Sequence, residues 1–305
     1  MNQRPKLLIT GASGFTGEHA CKHFSRLGYD IIAVTRNQSF DGSKGIKTEY
    51  CELTIKDDVN LLIKKIKPDF LLHLAGLNHV GDSWNDPITT LETNLLSTLY
   101  IIDATRQLNP TCKIVIVGSS LQTSLNEISN FTHPYSLSKT LQVLISQAWV
   151  KLYKMNIVIA KPSNIIGPGR SNGVNSIFAN KIAQMEKNML DKVLVVNNLN
   201  SKRDFIDVRD VISAYEVILN KGTPGEIYEI SSGKSYSLRD LIEIYKNLTT
   251  TDFKVKSLSN GVEELAADET PLKLLQLGWS PTFSINSSLN DTLNYYRSEL
   301  KKKEN

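Results

Sequence analysis

Residues 7–17, LLITGASGFTG, constrain the fold of this chain more than any other stretch. An apolar run that ends in closely spaced glycines predicts a buried strand, a tight turn and a helix that begins near Gly14. The first turn of such a helix leaves backbone N–H groups free to bind a phosphate. Gly11 would permit the turn, Gly14 would let a pyrophosphate approach, and Gly17 would let the helix pack on the strand. The spacing is G-x-x-G-x-x-G rather than G-x-G-x-x-G, so a glycine-rich turn without a ligand is the alternative interpretation.

Composition and charge narrow the class of protein. The chain has 305 residues, enough for one large domain with an appendage or for two domains. Its 41% hydrophobic and 22% charged residues are ordinary for a soluble protein, and a net charge of +4 suits an anionic small substrate without requiring nucleic acid. No signal peptide or bilayer-spanning run is found, which predicts a cytoplasmic protein that does not bind membranes. Cys21, Cys51 and Cys112 lack metal-ligand spacing, so reduced thiols and no metal site are expected.

Apolar strands alternate with helical segments after the glycine turn. The predicted strands cover residues 31–35, 47–51, 70–74, 114–117 and 157–160. This alternation predicts an α/β fold with a Rossmann-type doubly wound parallel sheet, whose ligands lie at the carboxyl ends of the strands. Beyond it, residues 167–202 are predicted to form loops and one helix, 176–187, and residues 202–210 a charged turn.

The residues that follow the predicted strands indicate the ligand. Arg36 stands about 20 residues beyond the glycines, where an NAD site carries Asp or Glu on the ribose. Since a guanidinium can grip a 2′-phosphate, Arg36 favours NADP(H), with NAD(H) as the alternative. Glu52 is placed for an adenine amino group, or else is a solvated turn residue. Ala75 and Gly76 are small residues at an edge where a cofactor would lie.

Tyr135 and Lys139 form the second decisive feature. In a helix that begins after Pro134 they are four residues apart and share a face. A nearby ammonium favours the phenolate and would lower the tyrosine pKa from about 10, which gives a tunable acid/base. Ser119 and Ser120, at the end of the fifth strand, could polarise the same substrate oxygen. A surface pair without function is the alternative.

The chain resembles the extended short-chain dehydrogenase/reductases that modify nucleotide sugars, over essentially its whole length. Four motifs carry this resemblance in the expected order: GxxGxxG, a serine at the end of the fifth strand, YxxxK, and KRDFIDVRDV at 202–211. In its short sequence motifs the chain is most similar to the GDP-mannose 4,6-dehydratase and GDP-4-keto-6-deoxymannose reductase branch. That similarity rests on HLAG (73–76), VGDSWNDP (80–87), PYSLSK (134–139), KPSNIIGPG (161–169) and GWSP (278–281).

The resemblance implies roles for individual residues. Tyr135 would be the catalytic acid/base, Lys139 would hold the nicotinamide ribose, and Ser119 would hydrogen-bond the reacting oxygen, with Ser120 as the fallback. The implied substrate-binding residues are Ser120, Asn164, Lys181 and Arg203, of which Asn164 and Arg203 match positions that contact the nucleotide diphosphate. The implied cofactor-binding residues are Gly11, Ser13, Gly14, Phe15, Thr16, Gly17, Arg36, Glu52, Leu53, Leu74, Ala75, Gly76, Tyr135, Lys139 and Pro162.

The resemblance also implies a domain division and an assembly. Residues 1–166 would form the NADP-binding Rossmann domain, to which residues 203–232 return. Residues 167–202 and 233–305 would form a smaller, mixed α/β substrate-binding domain. The family's dimers pair through helices that match residues 86–108 and 134–153, so a homodimer is expected. An enzyme of this kind would serve cell-surface polysaccharide biosynthesis.

Two departures from the family's pattern decide the predicted reaction. A 4,6-dehydratase needs an acidic pair just after the strand-five serine or threonine, whereas this chain has Leu121 and Gln122, which transfer no proton. NADPH-dependent reduction of a 4-keto-6-deoxy sugar is therefore favoured. The family's late Arg-Pro-x-Asp element is replaced by GVEEL at 261–265, so the nucleotide base is open, with GDP first and UDP second. A redox-neutral epimerase or atypical dehydratase that retains NAD(P), and a catalytically silent dinucleotide-binding sensor or scaffold, remain as alternatives.

Overall fold

The computed structural model describes residues 4–36, 45–123, 131–259 and 269–304. The chain divides into two compact units, Met1–Lys161 with Ile212–Tyr228, and Pro162–Val211 with Glu229–Asn305. The segment that returns to the first unit is thus shorter than the predicted 203–232. The reason is that residues 202–207 form a strand that pairs inside the second unit.

The secondary structure begins with a strand and ends with a long helix. The strands are β1 (Lys6–Thr10), β2 (Asp30–Thr35), β3 (Lys47–Tyr50), β4 (Phe70–His73), β5 (Lys113–Val117), β6 (Ile157–Pro162), β7 (Asn164–Ile166), β8 (Val193–Asn198), β9 (Lys202–Asp207), β10 (Ile227–Ile230), β11 (Ser235–Ser237) and β12 (Lys254–Ser259). The helices are α1 (Phe15–Arg26), α2 (Lys56–Ile66), α3 (Val80–Asn85), α4 (Pro87–Leu91), α5 (Ser97–Leu108), α6 (Pro134–Tyr153), α7 (Val174–Glu186), α8 (Val208–Lys221), α9 (Leu238–Leu248), α10 (Leu272–Gln276) and α11 (Ile285–Glu304). A helix long and apolar enough to cross a bilayer is absent from the described part of the chain.

A seven-stranded sheet organises the first unit, in the order β10-β6-β5-β4-β1-β2-β3. Every strand pair recorded from β1 to β6 is parallel. The middle strands are apolar on both faces, because helices cover both, and Leu7, Leu8 and Ile9 are fully buried. The strand order reverses between β1 and β4, which is where a doubly wound sheet binds its ligand. The predicted Rossmann-type α/β fold is confirmed.

The second unit has more strand than the sequence suggested. β7, β9 and β11 form a three-stranded sheet, and β8 pairs with β12 in parallel. The helix predicted at 176–187 is present as α7, whereas the predictions of a loop where β8 lies and of a charged turn at 202–210 were wrong. β9 is polar in sequence yet buried at its end, because Asp204 and Asp207 accept hydrogen bonds from serines distant in the chain, Ser163, Ser232 and Ser288. The core of this unit packs α7, α9 and α11 together through apolar side chains that include Phe178, Ile182, Leu241, Tyr245 and Leu293.

The predicted long helix 86–108 is interrupted. A π-helical turn, Glu92–Leu96, separates α4 from α5. Asn94 is fully buried there, and its side-chain amide pairs with the backbone of Leu77, accepting from its N–H at 2.8 Å and donating to its carbonyl at 2.9 Å. The apolar residues of this segment consequently do not share one buried face, since Ile88 is exposed while Ile102 is buried.

Candidate active site

The glycine turn brings three backbone segments into direct contact. Gly11 follows β1 with a φ of +65°, a conformation that glycine adopts without strain. A Cβ at Gly11 would lie 2.8 Å from the backbone nitrogen of Ala75, just beyond β4. A Cβ at Gly17 would lie 2.2 Å from the carbonyl oxygen of Gly11. The turn, helix α1 and the end of β4 therefore pack without room for a side chain at either position.

The first turn of α1 has the features of a phosphate site. Gly14 is its N-cap and provides no side-chain cap, so the backbone N–H groups of Phe15, Thr16 and Gly17 have no intrahelical acceptor. Ser13 and Gly14 are exposed, which leaves this end of the helix open to a ligand. The positive end of the helix dipole favours an anion here. The residues present fit the diphosphate of a dinucleotide.

The other cofactor candidates of the first unit lie at strand ends, as expected for a parallel sheet. Arg36 directly follows β2 and is exposed, and Leu74 and Ala75 directly follow β4 and are half-buried. Glu52 has a local structural role, because its Oε1 accepts hydrogen bonds from the backbone N–H of Thr54 at 3.1 Å and from its hydroxyl at 2.8 Å. Leu53 beside it is buried. Their contacts with a cofactor stay predictions.

Tyr135 lies in the first turn of α6, and its phenol contacts a residue just beyond the end of β5. The side chain is 5% exposed, and its phenol is hydrogen-bonded to the side chain of Ser119. Burial raises the pKa of Tyr135 above its ordinary value, because it disfavours the phenolate, and the Ser119 hydrogen bond offsets this only in part. The expectation that an ammonium lowers this pKa is not met in the structure, where burial dominates. Tyr135 therefore keeps its proton at neutral pH.

Lys139 is the buried cation of the site. It is 7% exposed, and its ammonium donates to the carbonyl of Val117 at 2.7 Å and to Oε1 of Gln142 at 2.8 Å. Burial lowers the pKa of Lys139 to about 7. A Cβ built on Gly76 would lie 3.9 Å from its Nζ, which places the ammonium beside the exposed end of β4.

Three residues that the sequence analysis did not single out hold this arrangement. His133 is the N-cap of α6, where its Nδ1 accepts the Ser136 N–H at 2.9 Å, and its ring stacks on Tyr135 with 6.0 Å between centroids. The hydroxyl of Ser83 accepts the Tyr135 N–H at 3.2 Å. Asn94 donates to the hydroxyl of Ser138 at 2.9 Å. Only His133 had a sequence signal, as the residue before a proline at a helix start.

Residues 118–123, the described part of the segment after β5, include no Asp or Glu. The Ser119 hydroxyl accepts the backbone N–H of Leu121 at 3.1 Å, and Oε1 of Gln122 lies 3.4 Å from the Ser119 nitrogen. Ser120 is half-buried beside them, and Leu121 is exposed. The groups able to move a proton here are thus the hydroxyls of Ser119, Ser120 and Tyr135. This arrangement can protonate one oxygen, and no residue of residues 118–123 can act as a carboxylate base.

The substrate candidates of the second unit are partly brought together. Asn164 opens β7, and its Nδ2 donates to the carbonyl of Asp204 at 3.0 Å. Arg203 lies on the neighbouring strand β9, half-buried and opposite Tyr236 of β11. Lys181, half-buried on α7, makes no hydrogen bond to either within the described ranges. Pro162 ends β6 and is buried. The replaced element at 261–265 lies outside the described residues.

Comparison with known proteins gives a family and full-length relatives. The NAD dependent epimerase/dehydratase family matches residues 7–231. GDP-6-deoxy-D-mannose reductase of Pseudomonas aeruginosa is 27% identical over 316 aligned residues, which cover 99% of each chain. The mouse (Mus musculus) dTDP-D-glucose 4,6-dehydratase is 25% identical, covering 96% of this chain and 88% of its own. The solved structure of RMD from Pseudomonas aeruginosa complexed with NADPH is 26% identical, with a TM-score of 0.83 over 97% of this chain and 99% of that one.

The close contact at Gly17 predicts that adding one methyl group there strongly destabilises the folded protein. We expect Gly17→Ala to lower the free energy of unfolding by about 3 kcal/mol or more, because the Cβ would meet backbone atoms that cannot move independently. Gly173→Ala is the matched control: Gly173 is the N-cap of α7 at a φ of −68°, and its Cβ would meet only the Ser171 hydroxyl, at 3.5 Å. Its cost should stay within about 1 kcal/mol. Urea unfolding of both variants measures the difference, and equal costs would contradict the packing argument.

The buried ammonium predicts a pH dependence of stability. Above a pH of about 7 the folded protein releases the Lys139 proton, whereas the unfolded chain keeps it until about 10.5. Because the unfolded state then binds more protons, the free energy of unfolding rises with pH in this window, by up to about 1.4 kcal/mol per pH unit. Lys139→Met should lack this rise. Urea unfolding of both proteins from pH 6 to pH 10 measures it, and parallel curves would exclude a depressed lysine pKa.

Proposed function

Because the chain belongs to the NAD dependent epimerase/dehydratase family, we propose that it reduces the 4-keto group of a nucleotide-linked 4-keto-6-deoxy sugar with NADPH. Enzymes of this family use NAD(P) to act on nucleotide sugars, and the proposal specifies the reaction and the preferred cofactor. The observation that carries it is the set of proton-transfer groups after β5. A hydroxyl pair, Ser119 and Tyr135, is present there, and the described residues 118–123 include none of the carboxylates that a dehydration would need.

The chain's residues supply the proton side of this reaction. A bound NADPH supplies the hydride that reaches the carbonyl carbon. Tyr135 holds a phenolic proton at neutral pH and donates it to the carbonyl oxygen, while the Ser119 hydroxyl hydrogen-bonds the same oxygen. The Lys139 ammonium favours the phenolate that remains, since an opposite charge stabilises it. One hydride and one proton complete the reduction, so no further acid or base is required.

Residues of the first unit favour NADP(H) as the cofactor. The uncapped N-terminus of α1 fits the diphosphate, and the Lys139 ammonium fits a ribose hydroxyl beside Gly76. An exposed Arg36 after β2 suits a 2′-phosphate, which favours NADP(H) with NAD(H) as the alternative. The similarity to RMD, solved with NADPH, supports the same preference.

The sugar nucleotide is proposed from the relatives and from the second unit. The reductase of Pseudomonas aeruginosa, similar over its whole length, acts by its name on a GDP-linked 6-deoxy sugar, which makes GDP the first choice and UDP the second. Arg203, Asn164 and Lys181 are the proposed contacts to the nucleotide diphosphate, since cations and amide donors suit phosphate oxygens. We place the reaction in the cytoplasm.

A redox-neutral epimerase or atypical dehydratase is the second candidate. It is favoured by the 25% identity with a dTDP-D-glucose 4,6-dehydratase over 96% of this chain. An enzyme of that kind returns its hydride and retains the cofactor. Tightly bound oxidised cofactor in the purified protein, with no net use of NADPH, would support it over the reductase.

The reductase proposal predicts NADPH consumption that depends on the phenol. With 4-keto-6-deoxy sugars linked to GDP, UDP, dTDP and CDP, we expect oxidation of NADPH at 340 nm, strongest for one nucleotide. Tyr135→Phe should lose about 10²- to 10⁴-fold in kcat, because it removes the proton donor. Tyr29→Phe, which removes only a 3.5 Å hydrogen bond to Asn220, should behave as wild type. Unchanged turnover in Tyr135→Phe would refute the mechanism.

A homodimer through residues 86–108 and 134–153 is also proposed. Ile88, Leu144, Leu152 and Tyr153 expose large apolar side chains on these segments. Leu152→Glu, alone or with Leu144→Glu, should shift the protein from dimer to monomer in light scattering after gel filtration, because a charge would be buried in the interface. Leu61→Glu on α2 is the matched control, since Leu61 and Leu152 are both 67% exposed. Dimers that survive in the double variant would place the interface elsewhere.

A further inference from the structure

A buried chain of polar side chains connects Lys139 to the glycine turn. Gln142 lies one helical turn beyond Lys139 on α6 and is fully buried. Its Oε1 accepts a proton of the Lys139 ammonium at 2.8 Å, and its Nε2 donates to the hydroxyl of Thr98 on α5 at 2.7 Å. Both the oxygen and the nitrogen of the Gln142 amide are therefore hydrogen-bonded, the oxygen to a charged group.

The donors and acceptors along this chain follow from one another. Thr98 donates its hydroxyl proton to the carbonyl of Asn94 at 2.8 Å, so its oxygen accepts from Gln142 and from Nε2 of His73 at 2.9 Å. Burial and the Lys139 charge lower the pKa of His73 to about 3, which keeps its ring neutral. With Nε2 protonated, Nδ1 accepts the hydroxyl proton of Thr10 at 2.8 Å.

The chain ends at the glycine turn itself. Thr10 is the last residue of β1, immediately before Gly11, and its hydroxyl accepts the N–H of Ala75 at 3.2 Å. The amide of Gln142 has only one workable orientation in this chain. The reverse orientation would point its NH₂ group at the ammonium and its oxygen at a hydroxyl whose proton is already committed.

A purely structural role does not account for a glutamine here. A buried amide that is not fully hydrogen-bonded destabilises the fold, and an apolar side chain would fill the same space without that penalty. The Lys139 ammonium has three N–H donors, and Val117 and Gln142 accept two of them. The third has no acceptor among the described residues, and the ammonium lies beside the exposed Gly76.

We infer that Gln142 is a positioning residue: it fixes the Lys139 ammonium so that the remaining N–H donor is free for a cofactor hydroxyl at the end of β4. This inference rests on the proposed function for the role of Lys139. Gln142 itself touches neither cofactor nor substrate. It also stabilises the charged form of Lys139, because a carbonyl oxygen that accepts a hydrogen bond from an ammonium favours the cation.

The sign of the pH effect follows from the groups around the ammonium. Among the described residues, the titratable groups near it are His73 on β4, which is neutral and whose pKa the Lys139 charge lowers, and Tyr135, one helical turn earlier on α6. Asn94, Thr98 and the Val117 carbonyl, from the other elements packed here, do not titrate. Removing the Gln142 carbonyl lowers the pKa of Lys139 further, so the lysine loses its charge at a lower pH. A carboxylate at the same position does the opposite.

Two variants and one control test this inference on the protein without a sugar substrate. The dissociation constant of NADPH is measured by its fluorescence from pH 5.5 to pH 9.5 for wild type, Gln142→Leu, Gln142→Glu and Ser146→Ala. Ser146 is also fully buried on α6 and donates to the backbone carbonyl of Gln142 at 2.7 Å, so its loss tests packing alone. The free energy of unfolding of each protein without cofactor is measured over the same range.

Gln142→Leu should weaken NADPH binding at pH 7 about tenfold or more. In the pH profile of binding, the alkaline limb, where affinity falls as pH rises, should move to a pH lower by about one to two units. Gln142→Glu should move that limb up, and Ser146→Ala should superimpose on wild type. The pH at which unfolding stability begins to rise should shift in the same directions. Variants that lose stability but keep both wild-type pH profiles would overturn the inference and leave Gln142 a packing residue.

These measurements are separate from the proposed reaction. Failure of every 4-keto sugar nucleotide to consume NADPH would refute the proposed function, while the shifts in NADPH binding and in unfolding would still establish the role of Gln142. If Lys139→Met binds NADPH as tightly as wild type at every pH, the assigned cofactor contact of Lys139 is wrong and the inference falls with it.

Discussion

Backbone contact at the glycine turn is the constraint on which the first unit depends. Because no side chain fits at Gly11 or Gly17, the end of β1, the start of α1 and the end of β4 are held within van der Waals distance of one another. That contact fixes where the uncapped N–H groups of α1 open toward solvent. It also fixes Thr10 and Ala75, from which the buried hydrogen bonds run through His73 and Thr98 to α6.

Burial favours the neutral form of both ionisable groups of the site, Tyr135 and Lys139. It raises the pKa of Tyr135 and lowers that of Lys139, so both are pushed toward their neutral forms. A phenol that keeps its proton suits a reduction, in which the tyrosine must begin as the acid. A lysine with a pKa of about 7 is balanced between its two states, so small local changes in hydrogen bonding alter how much charge it carries. The site therefore depends on neutral neighbours such as Gln142 as well as on its charged groups.

The sequence was sufficient for the parts of the fold that local pattern controls. Strands β1 to β6, the start of helix α6 at Pro134, and the strand-end positions of Ser119 and Gly76 all follow from apolar runs, glycines and a proline. The sequence was insufficient where hydrogen-bond partners distant in the chain determine the local structure. β9 has the composition of a charged turn, and its aspartates are buried because they accept hydrogen bonds from the distant Ser163, Ser232 and Ser288 and because Arg209 pairs with Asp207. The ammonium of Lys139 was placed near Tyr135 by spacing, but its burial, and hence the direction of both pKa shifts, required the packed structure.

The π-helical turn at Glu92–Leu96 has a consequence for how this segment can change. Such a turn accommodates one residue more than an α-helical turn, and each added residue rotates the following side chains by about 100° around the axis. Deleting one residue here would restore a regular helix, but it would swing α4 out of phase with α5 and carry Asn94 away from the Leu77 backbone. The segment is thus constrained in length as well as in the identity of Asn94, so its residue count is as much a part of the site as its chemistry.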